Sequence, residues 1–228
     1  VTKPLGYAAW VGHSSFVINN YDLNIISDPM FSDRASPFQF LGPKRLIEPA
    51  IGYKNLPKIN VVVISHNHYD HLDLKSVKKL NKLNPDTIFL VPLKLKNWFL
   101  SKGIKNVYEF EWWESKIIEN TTFTFVPVQH WSRRGLFDKN KSLWGGWWIE
   151  NSNIKLVHLG DTGYSKDFIE INKRLGSPDV AFIIAQPVME MIASMGIASG
   201  IDKFRMSMSD LTNNKQMTEI IKIKQEKE

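Results

Sequence analysis

The feature that most constrains this chain is a run of metal-ligand side chains directly after an apolar strand. The run is Ser65–His71, with the sequence SHNHYDH, and four of its last six residues are histidine or aspartate. Side chains at alternating positions of an extended loop point the same way, so His66 and His68 can share one ion. The turn through Asp70 and His71 presents a second pair to a neighbouring ion. The spacing therefore predicts a metal site, and it disfavours the alternative of incidental surface histidines.

The composition limits what such a site can be made of. The 228 residues include no cysteine, which excludes disulfide scaffolds, thiol catalysis and cysteine-ligated zinc. Any metal must therefore be held by histidine and carboxylate side chains. Apolar residues make up 43% and charged residues 23% of the chain, as in an ordinary globular protein, so one large domain is expected.

Two further ligand candidates stand at the ends of other apolar strands. His130 follows the run 122–128, and Asp161 follows the run 155–159. Loops at one edge of a sheet bring such strand ends together, so we expect both side chains to lie beside the histidine run. For His130 the alternative is an interfacial histidine packed beside Trp131.

Apolar alternation and short β-rich runs predict a mixture of β-meander and βα units. We predict strands at Ala8–Ile18, Leu23–Ile26, Val61–Ile64, Thr87–Val91, Val107–Phe110, Thr122–Val126, Trp147–Ile149 and Lys155–Leu159. Asn19 and Asn20 form the turn of a hairpin between the first two. We predict helices at Asp73–Asn84, Lys94–Ser101 and Lys166–Leu175. The stretch Val180–Gly200 contains Gln186, Pro187 and Glu190, which favours a buried strand plus helix over a membrane span.

The character of the sequence changes near residue 185. All eight tryptophans lie at or before Trp148, whereas six of the seven methionines lie between Met189 and Met217. We therefore divide the chain into residues 1–182, which form one domain, and residues 183–228, which form a divergent segment. The change predicts a disrupted or altered reading frame beyond Phe182.

Short motifs along residues 8–182 carry a resemblance to a known family. Besides the histidine run, they are Trp10–Ser15, Ser27–Ser32, Arg34–Pro37, Gly42–Arg45, Pro127–Trp131, Trp144–Trp147 and Gly160–Tyr164. The chain resembles the metallo-β-lactamase superfamily, and within it the branch that contains N-acylphosphatidylethanolamine-hydrolysing phospholipase D and its bacterial relatives. The resemblance implies a fold of the α/β (α+β) class, a four-layer αβ/βα sandwich with a metal site at its rim, here incomplete at the C-terminal end.

The resemblance also implies a two-zinc site. The implied ligands are His66, His68 and His130 for one zinc, Asp70 and His71 for the second, and Asp161 as the bridge between them. Two ions about 3.5 to 4 Å apart make a water hydroxide-like near neutral pH and clamp the oxygens of an in-line displacement at phosphorus. Asp70 and Asp161 are therefore the catalytic candidates.

Two more residues are implied to support the ligands. Asp28 resembles the family's buried acid that orients the ligand loop, and His13 is placed with it behind the ligands. For Asp28 the alternative is an aspartate that caps the turn before Pro29.

The chain departs from the family after the last core strand, where the pattern requires a final histidine for the second zinc. His158 is the last histidine, and it precedes Asp161 by only three residues on the same predicted strand, which makes it a poor substitute. We therefore expect weak binding of the second zinc, closer to one zinc than two in the purified protein, and slow hydrolysis.

The implied function is zinc-dependent hydrolysis of a phosphodiester in a phospholipid, such as an N-acylated phosphatidylethanolamine, by a metal-activated hydroxide. A sugar-phosphate lactonase and a catalytically inactive remnant stay open as alternatives. The nucleic-acid-processing branch usually carries an inserted domain, for which 228 residues leave no room, so no nucleic-acid partner is expected. A small-molecule or phospholipid substrate is the expected partner.

The net charge and the clusters of aromatic and basic residues bear on the location of the protein and on its contacts with substrate or membrane. The net charge of +6 permits an anionic substrate or a membrane surface, and no signal peptide is visible, so we expect a cytoplasmic protein with peripheral, electrostatic membrane contact. The tryptophans of 112–113 and 144–148 form either an apolar mouth or core packing. The basic residues that either meet a phosphate or lie on the solvated surface are Arg34, Lys44, Arg45, Arg133 and Arg134.

Overall fold

Short runs of β-branched and apolar residues form two β-sheets in the computed structural model, which describes residues 6–184 and 221–222. The first sheet consists of β1 (Tyr7–Gly12), β2 (Ser15–Asn19), β3 (Asn24–Ser27), β4 (Val61–Val63), β5 (Ile88–Pro92), β6 (Val107–Phe110) and β12 (Ile221–Lys222). Its order is β12-β1-β2-β3-β4-β5-β6. The second sheet consists of β7 (Ser115–Ile118), β8 (Thr121–Val126), β9 (Gly146–Glu150), β10 (Lys155–Asp161) and β11 (Val180–Ile184), in the order β11-β10-β9-β8-β7.

Three helices connect parallel strands in the described residues, as the sequence predicts. α1 (Leu74–Leu83) joins β4 to β5, and α2 (Lys96–Ser101) joins β5 to β6. α3 (Asp167–Leu175) joins β10 to the parallel β11. The carboxylate of Asp73 accepts a hydrogen bond from the backbone N–H of Lys75 and so caps α1 directly after the histidine run.

Apolar packing arranges these elements in four layers. In β4 the side chains alternate, so that Val62 packs beneath α1 and α2 while Val61 and Val63 face the second sheet. The buried layer between the sheets also includes Ile25, Leu90, Phe123, Phe125, Trp147 and Leu156. Ile171 of α3 packs on the outer face of the second sheet. The four-layer α/β fold class predicted from the sequence is confirmed.

The single strand predicted over Ala8–Ile18 is wrong, because a tight turn divides it into β1 and β2. Gly12 has a φ of 139° and His13 a φ of 49°, both in the left-handed region that an extended strand excludes. β1 and β2 pair with each other in antiparallel fashion, and their register shifts between Trp10 and Gly12. His13 therefore projects from a turn. The predicted hairpin with the next strand is confirmed as the pairing of β2 with β3.

Two differences concern the second sheet and the C-terminal part. The sequence analysis missed β7, an edge strand that is mostly exposed and therefore carries a weak apolar pattern. Of the strand and helix predicted within Val180–Gly200, the strand is β11, and the helix lies outside the described residues. The predicted divergent segment 183–228 also lies outside them, apart from residues 183–184 and β12, whose backbone pairs with β1.

Trp147 joins the two sheets close to the histidine run. Its side chain is fully buried in β9, with its ring centroid 5.1 Å from that of Phe110 and 4.9 Å from that of Phe125. Its indole Nε1–H donates a hydrogen bond of 2.8 Å to the carbonyl of Ile64, the residue between β4 and Ser65. This bond ties the start of the metal-ligand loop to the opposite sheet.

We expect Trp147→Phe to lower the free energy of unfolding by about 1–3 kcal/mol, because the buried carbonyl of Ile64 loses its hydrogen-bond donor. Urea denaturation measures the change. Trp131→Phe, at a half-exposed position, is the matched control and should leave the midpoint nearly unchanged. Equal midpoints for the two variants would show that the indole hydrogen bond contributes nothing.

Candidate metal centre

The predicted ligands meet at one edge of the molecule, where strands of both sheets end. The histidine run follows β4 of the first sheet, whereas His130 follows β8 and Asp161 ends β10 of the second. The N–H of Gly163 donates to the carbonyl of Gln129 at 2.9 Å, which holds the loops after β8 and β10 together. Residues far apart in the sequence are thus brought to one place.

A glycine allows β10 to approach the start of the histidine run. Gly160 has a φ of 58°, and a Cβ at this position would lie 2.6 Å from both Cβ and Oγ of Ser65. Only glycine fits this approach without displacing Ser65. The N–H of Gly145 also donates to the carbonyl of Ser65 at 3.0 Å, so the second sheet fixes this residue from two sides.

Three imidazoles, here called the three-imidazole group, converge on one point. Nε2 of His66 lies 2.8 Å from Nδ1 of His68 and 3.2 Å from Nε2 of His130, and the latter two nitrogens are 3.3 Å apart. Ligands of one tetrahedral zinc lie about 3.3 Å apart, given zinc–nitrogen distances of about 2.0–2.1 Å. The carboxylate of Asp161 lies 3.9 Å from Nε2 of His130 and offers a fourth donor.

The surroundings keep these imidazoles neutral. Nδ1 of His66 lies 2.9 Å from Oγ of Ser65, a contact that leaves its Nε2 lone pair facing the site. Burial, reinforced by the charge of His71, holds the pKa of His66 well below its ordinary value. Burial also lowers the pKa of His68, and it lowers the pKa of His130 to about 4. All three are therefore neutral at pH 7, the state in which imidazole binds a metal.

A second set of donors, the His13 group, consists of His13, Asp70 and His71. Nε2 of His13 lies 2.9 Å from Oδ2 of Asp70, and Nε2 of His71 lies 3.7 Å from the same oxygen. Nε2 of His71 also lies 3.2 Å from Oδ1 of Asp161, so this aspartate faces both sets of donors. The sequence analysis expected His13 behind the ligands, whereas the structure places its imidazole among the donor atoms.

Asp28 supports both sets from behind. Its Oδ1 accepts the backbone N–H of Ser65 at 2.7 Å. Its Oδ2 accepts hydrogen bonds from Oγ of Ser65 at 2.7 Å, Nδ1 of His71 at 2.8 Å and Nε2 of His158 at 2.9 Å, and Oγ of Ser14 lies at 3.2 Å. Since Nδ1 of His71 is engaged in this way, its Nε2 faces the site. This geometry favours the orienting role over a turn cap.

The carboxylates are charged in these surroundings. Burial raises the pKa of Asp28, but the nearby charge of His71 and the hydrogen bonds from two histidines hold it well below its usual range. Burial opposes ionisation of Asp70 as well, yet the hydrogen bond from His13 and the charge of His71 lower its pKa. Burial raises the pKa of Asp161, but the neighbouring His71, whose Nε2 lies 3.2 Å from Oδ1 of Asp161, holds it below its usual value. Three negative charges therefore surround the donor nitrogens.

The donor set fits divalent metal ions. Imidazoles and ionised carboxylates are the ligands that zinc takes in the absence of cysteine. Burial lowers the pKa of His71, but Asp28 and Asp161 raise it well above its ordinary value, so a bound ion would take the place of the proton on this imidazole. Within residues 6–184 and 221–222, the buried Nε2 of His71 makes no hydrogen bond of good geometry, although Oδ1 of Asp161 lies 3.2 Å away, and an ion in front of it would satisfy this nitrogen. Both the chemistry of the donors and this buried nitrogen agree with a metal centre.

Arg134 fixes the histidine run on another side. Its guanidinium donates to the carbonyls of Asn67 at 3.0 Å and Leu72 at 2.7 Å, and it lies 4.1 Å above the ring of Tyr69. Arg45 likewise donates to two backbone carbonyls. Both arginines were candidates for phosphate contact or solvated surface, but in the structure they hold loops in place.

The tryptophans are divided between the core and the site. Trp147 is fully buried, so this part of the expected apolar mouth is core packing. Two half-exposed tryptophans stand beside the donors: Nε1 of Trp10 donates to the carbonyl of His13 at 2.8 Å, and the ring of Trp131 lies 4.4 Å from that of His68. The sequence analysis did not include these two tryptophans among its candidates for an apolar mouth, although each lies within three residues of a histidine.

We expect Asp28→Asn to lower the free energy of unfolding by about 3–5 kcal/mol, because the amide cannot accept from both histidines and leaves buried charge unpaired. Zinc affinity should fall about 10–100-fold, since His71 loses the partner that orients it. Urea denaturation and zinc titration measure the two effects. Asp22→Asn, at an exposed position, is the control. Unchanged zinc affinity in Asp28→Asn would refute the orienting role.

Comparison with known proteins finds relatives of this chain by sequence and by structure. The family model described as a beta-lactamase superfamily domain matches residues 23–225. N-acyl-phosphatidylethanolamine-hydrolyzing phospholipase D 1 of Caenorhabditis elegans is 38% identical over 187 residues, which cover 78% of this chain and 52% of that protein. The mitochondrial N-acyl-phosphatidylethanolamine-hydrolyzing phospholipase D of Saccharomyces cerevisiae is 38% identical over 178 residues, or 75% of this chain and 37% of that protein.

The solved structures support the fold. A metallo hydrolase from the archaeon Ignicoccus hospitalis superimposes with a TM-score of 0.60 at 18% sequence identity, covering 78% of this chain and 70% of that one. At this identity the likeness concerns the fold alone. This chain spans about half, or less, of the length of the two phospholipase D relatives that it matches.

Proposed function

This chain belongs to the beta-lactamase superfamily, and we propose that it is a zinc-dependent hydrolase acting on a phosphodiester of a phospholipid. The family resemblance found in the sequence is confirmed by that match. The observation that carries the proposal is the convergence of seven histidine and aspartate side chains at one edge of the two sheets. An N-acylated phosphatidylethanolamine is the substrate class that we choose, because two relatives at 38% identity are named for its hydrolysis.

In this proposal each of the two sets of donors binds one metal ion. The three-imidazole group would hold one zinc ion, Asp70 and His71 would hold the second, and Asp161 could contribute to both. Bound there, divalent cations would supply a water molecule of lowered pKa and a positive field for the oxygens of a phosphodiester. Such help is needed because the negative charge of a phosphodiester repels a nucleophile.

Asp70 and Asp161 are the catalytic residues in this proposal. Their lowered pKa values, caused by the hydrogen bond from His13 to Asp70 and by the neighbouring His71 against the effect of burial, keep both carboxylates ionised at neutral pH. An ionised carboxylate accepts a hydrogen bond from water and so fixes the direction in which the water can attack. Because Asp28 and Ser65 immobilise the loop, this direction is set before a substrate arrives.

An amphipathic substrate suits the surroundings of the donors. Trp10 and Trp131 stand beside the two sets of donors and offer apolar ring surface for an acyl chain or glycerol backbone. The ammonium group of Lys139 lies 5.5 Å from the ring of Trp131, where it can meet an anionic headgroup. The net charge of +6 favours the approach of such a substrate.

We expect the zinc-loaded protein to hydrolyse N-acyl-phosphatidylethanolamine faster than a sugar-phosphate lactone or an RNA, and chelation to abolish the activity reversibly. His130→Ala should lower kcat/KM by more than about 100-fold, since loss of a mere supporting residue already costs about 10–100-fold. Ile169→Ala, on the exposed side of α3, is the control. Faster hydrolysis of the lactone or the RNA would overturn the substrate class, and inactivity on all three would favour a catalytically inactive remnant.

We also propose that the chain acts in the cytoplasm and makes peripheral contact with the membrane that holds its substrate. Within the described residues, no helix combines the length and the apolar composition needed to cross a bilayer. Two loops instead present exposed apolar side chains, Phe40 and Leu46 in one and Phe137 in the other. Lys44 and Arg133 add positive charge to the same loops, a combination suited to an anionic lipid surface.

In flotation with anionic liposomes, we expect binding at low salt that falls as salt is raised, because salt screens the attraction between basic loops and anionic lipid. The double variant Phe40→Ser and Phe137→Ser should bind less at both salt concentrations. Ile169→Ser removes an exposed apolar side chain from α3 and serves as the control. Binding of the wild type that persists at high salt would contradict an electrostatic contact.

A further inference from the structure

We propose that His13 is the third side-chain ligand of the second metal ion, a position that the sequence leaves without a candidate. This inference rests on the metal centre proposed above. The chain contains six histidines and none after His158, so the final histidine of the family pattern has no counterpart here. His158 is fully buried and donates to Asp28, which leaves His13 as the one histidine outside the expected ligand set that reaches the site.

The spacing of the donor atoms favours shared coordination. Nε2 of His13 lies 2.9 Å from Oδ2 of Asp70, and the donor atoms of these two residues and His71 all lie within 4.8 Å of one another. The three-imidazole group shows comparable separations of 2.8 to 3.3 Å. With Asp161 at 3.2 Å from Nε2 of His71, the second ion would have four protein donors, as the first has.

The buried nitrogen of His71 supports an ion at this point independently. Among the described residues it makes no hydrogen bond of good geometry, although Oδ1 of Asp161 lies 3.2 Å away, its ring is fully buried and its Nδ1 is held by Asp28. The ring of His13 stands 5.2 Å from that of His71, at an interplanar angle of 70°. Two imidazole edges therefore approach the carboxylate of Asp70 from different directions, as two ligands of one ion do.

The backbone at His13 is strained in a way that serves this placement. A non-glycine residue at a φ of 49° costs free energy, and such residues cluster at functional sites. Nε1 of Trp10 donates to the carbonyl of His13 at 2.8 Å and locks the turn. An extended strand through this position would carry the imidazole away from Asp70. The turn that divides β1 from β2 therefore places the imidazole of His13 beside Asp70.

His13 has one competing role, which is to orient Asp70 by a hydrogen bond without touching the metal. The two roles are separable by His13→Gln, because the side-chain amide of glutamine reaches about as far as Nε2 of histidine and can donate to a carboxylate, but it offers no imidazole lone pair. A ligand is lost in this variant, whereas an orienting hydrogen bond is kept.

The experiment is a zinc titration of metal-free wild type, His13→Gln and His13→Ala against a chromophoric chelator, repeated with Co²⁺ to follow its visible absorption bands. Lys94→Gln is the matched control, because Lys94 is exposed and also has a left-handed backbone, with a φ of 70°. Circular dichroism and the occupancy of the three-imidazole group report folding in every variant.

We expect two ions per wild-type chain, bound in sequence, in place of the single ion that the sequence analysis predicts. Both His13 variants should keep the first ion at wild-type affinity and bind the second at least about 100-fold more weakly, with loss of the Co²⁺ bands that belong to it. Imidazole added to His13→Ala should restore part of that binding. Lys94→Gln should match the wild type.

Different results would separate failure of this inference from failure of the proposed function. A second ion bound by His13→Gln as tightly as by wild type would assign His13 to orientation of Asp70 alone, and a single ion in the saturated wild type would remove the second site. Either result overturns the inference and leaves the three-imidazole group intact. If the wild type binds no ion, the proposed metal centre itself is wrong.

Discussion

The buried carboxylate of Asp28 is the interaction on which the rest of the site depends. A charge so fully removed from water is tolerated only when its oxygens are saturated with donors, and here the donors come from three parts of the chain. They are Ser14 in the turn after β1, Ser65 and His71 in the loop after β4, and His158 within β10. Each segment must be in place before the charge is satisfied, so the carboxylate enforces the assembly of this edge of the molecule.

The same carboxylate couples the two sets of donors. It acts on His71 directly and on His66 through Oγ of Ser65, which lies 2.7 Å from Asp28 and 2.9 Å from Nδ1 of His66. A movement of Asp28 would therefore rotate one imidazole of each set. Gly160 is part of the same arrangement, because its lack of a side chain leaves the space that Ser65 occupies.

The sequence predicts those parts of the structure that are encoded locally. The helix α1 and the strand before His66 follow from short-range apolar periodicity, and the place of Asp161 follows from its position at a strand end. The position of His13 could not be predicted, because a left-handed turn interrupts what otherwise reads as one alternating strand. The role of Arg134 was hidden for another reason, since the carbonyls that it binds lie 67 and 62 residues away and carry no side-chain signal.

The origin of the donors in two different sheets has a consequence for residues far from the metal. His66 follows a strand of the first sheet and His130 follows a strand of the second, so the distance between their nitrogens depends on the relative position of the two sheets. The layer between the sheets is close-packed, and a change of side-chain volume at Ile25 or Phe123 shifts one sheet against the other. The separation of the three imidazoles thus depends on how the two sheets pack against each other. Substitutions in the hydrophobic core can therefore change metal affinity without altering any ligand.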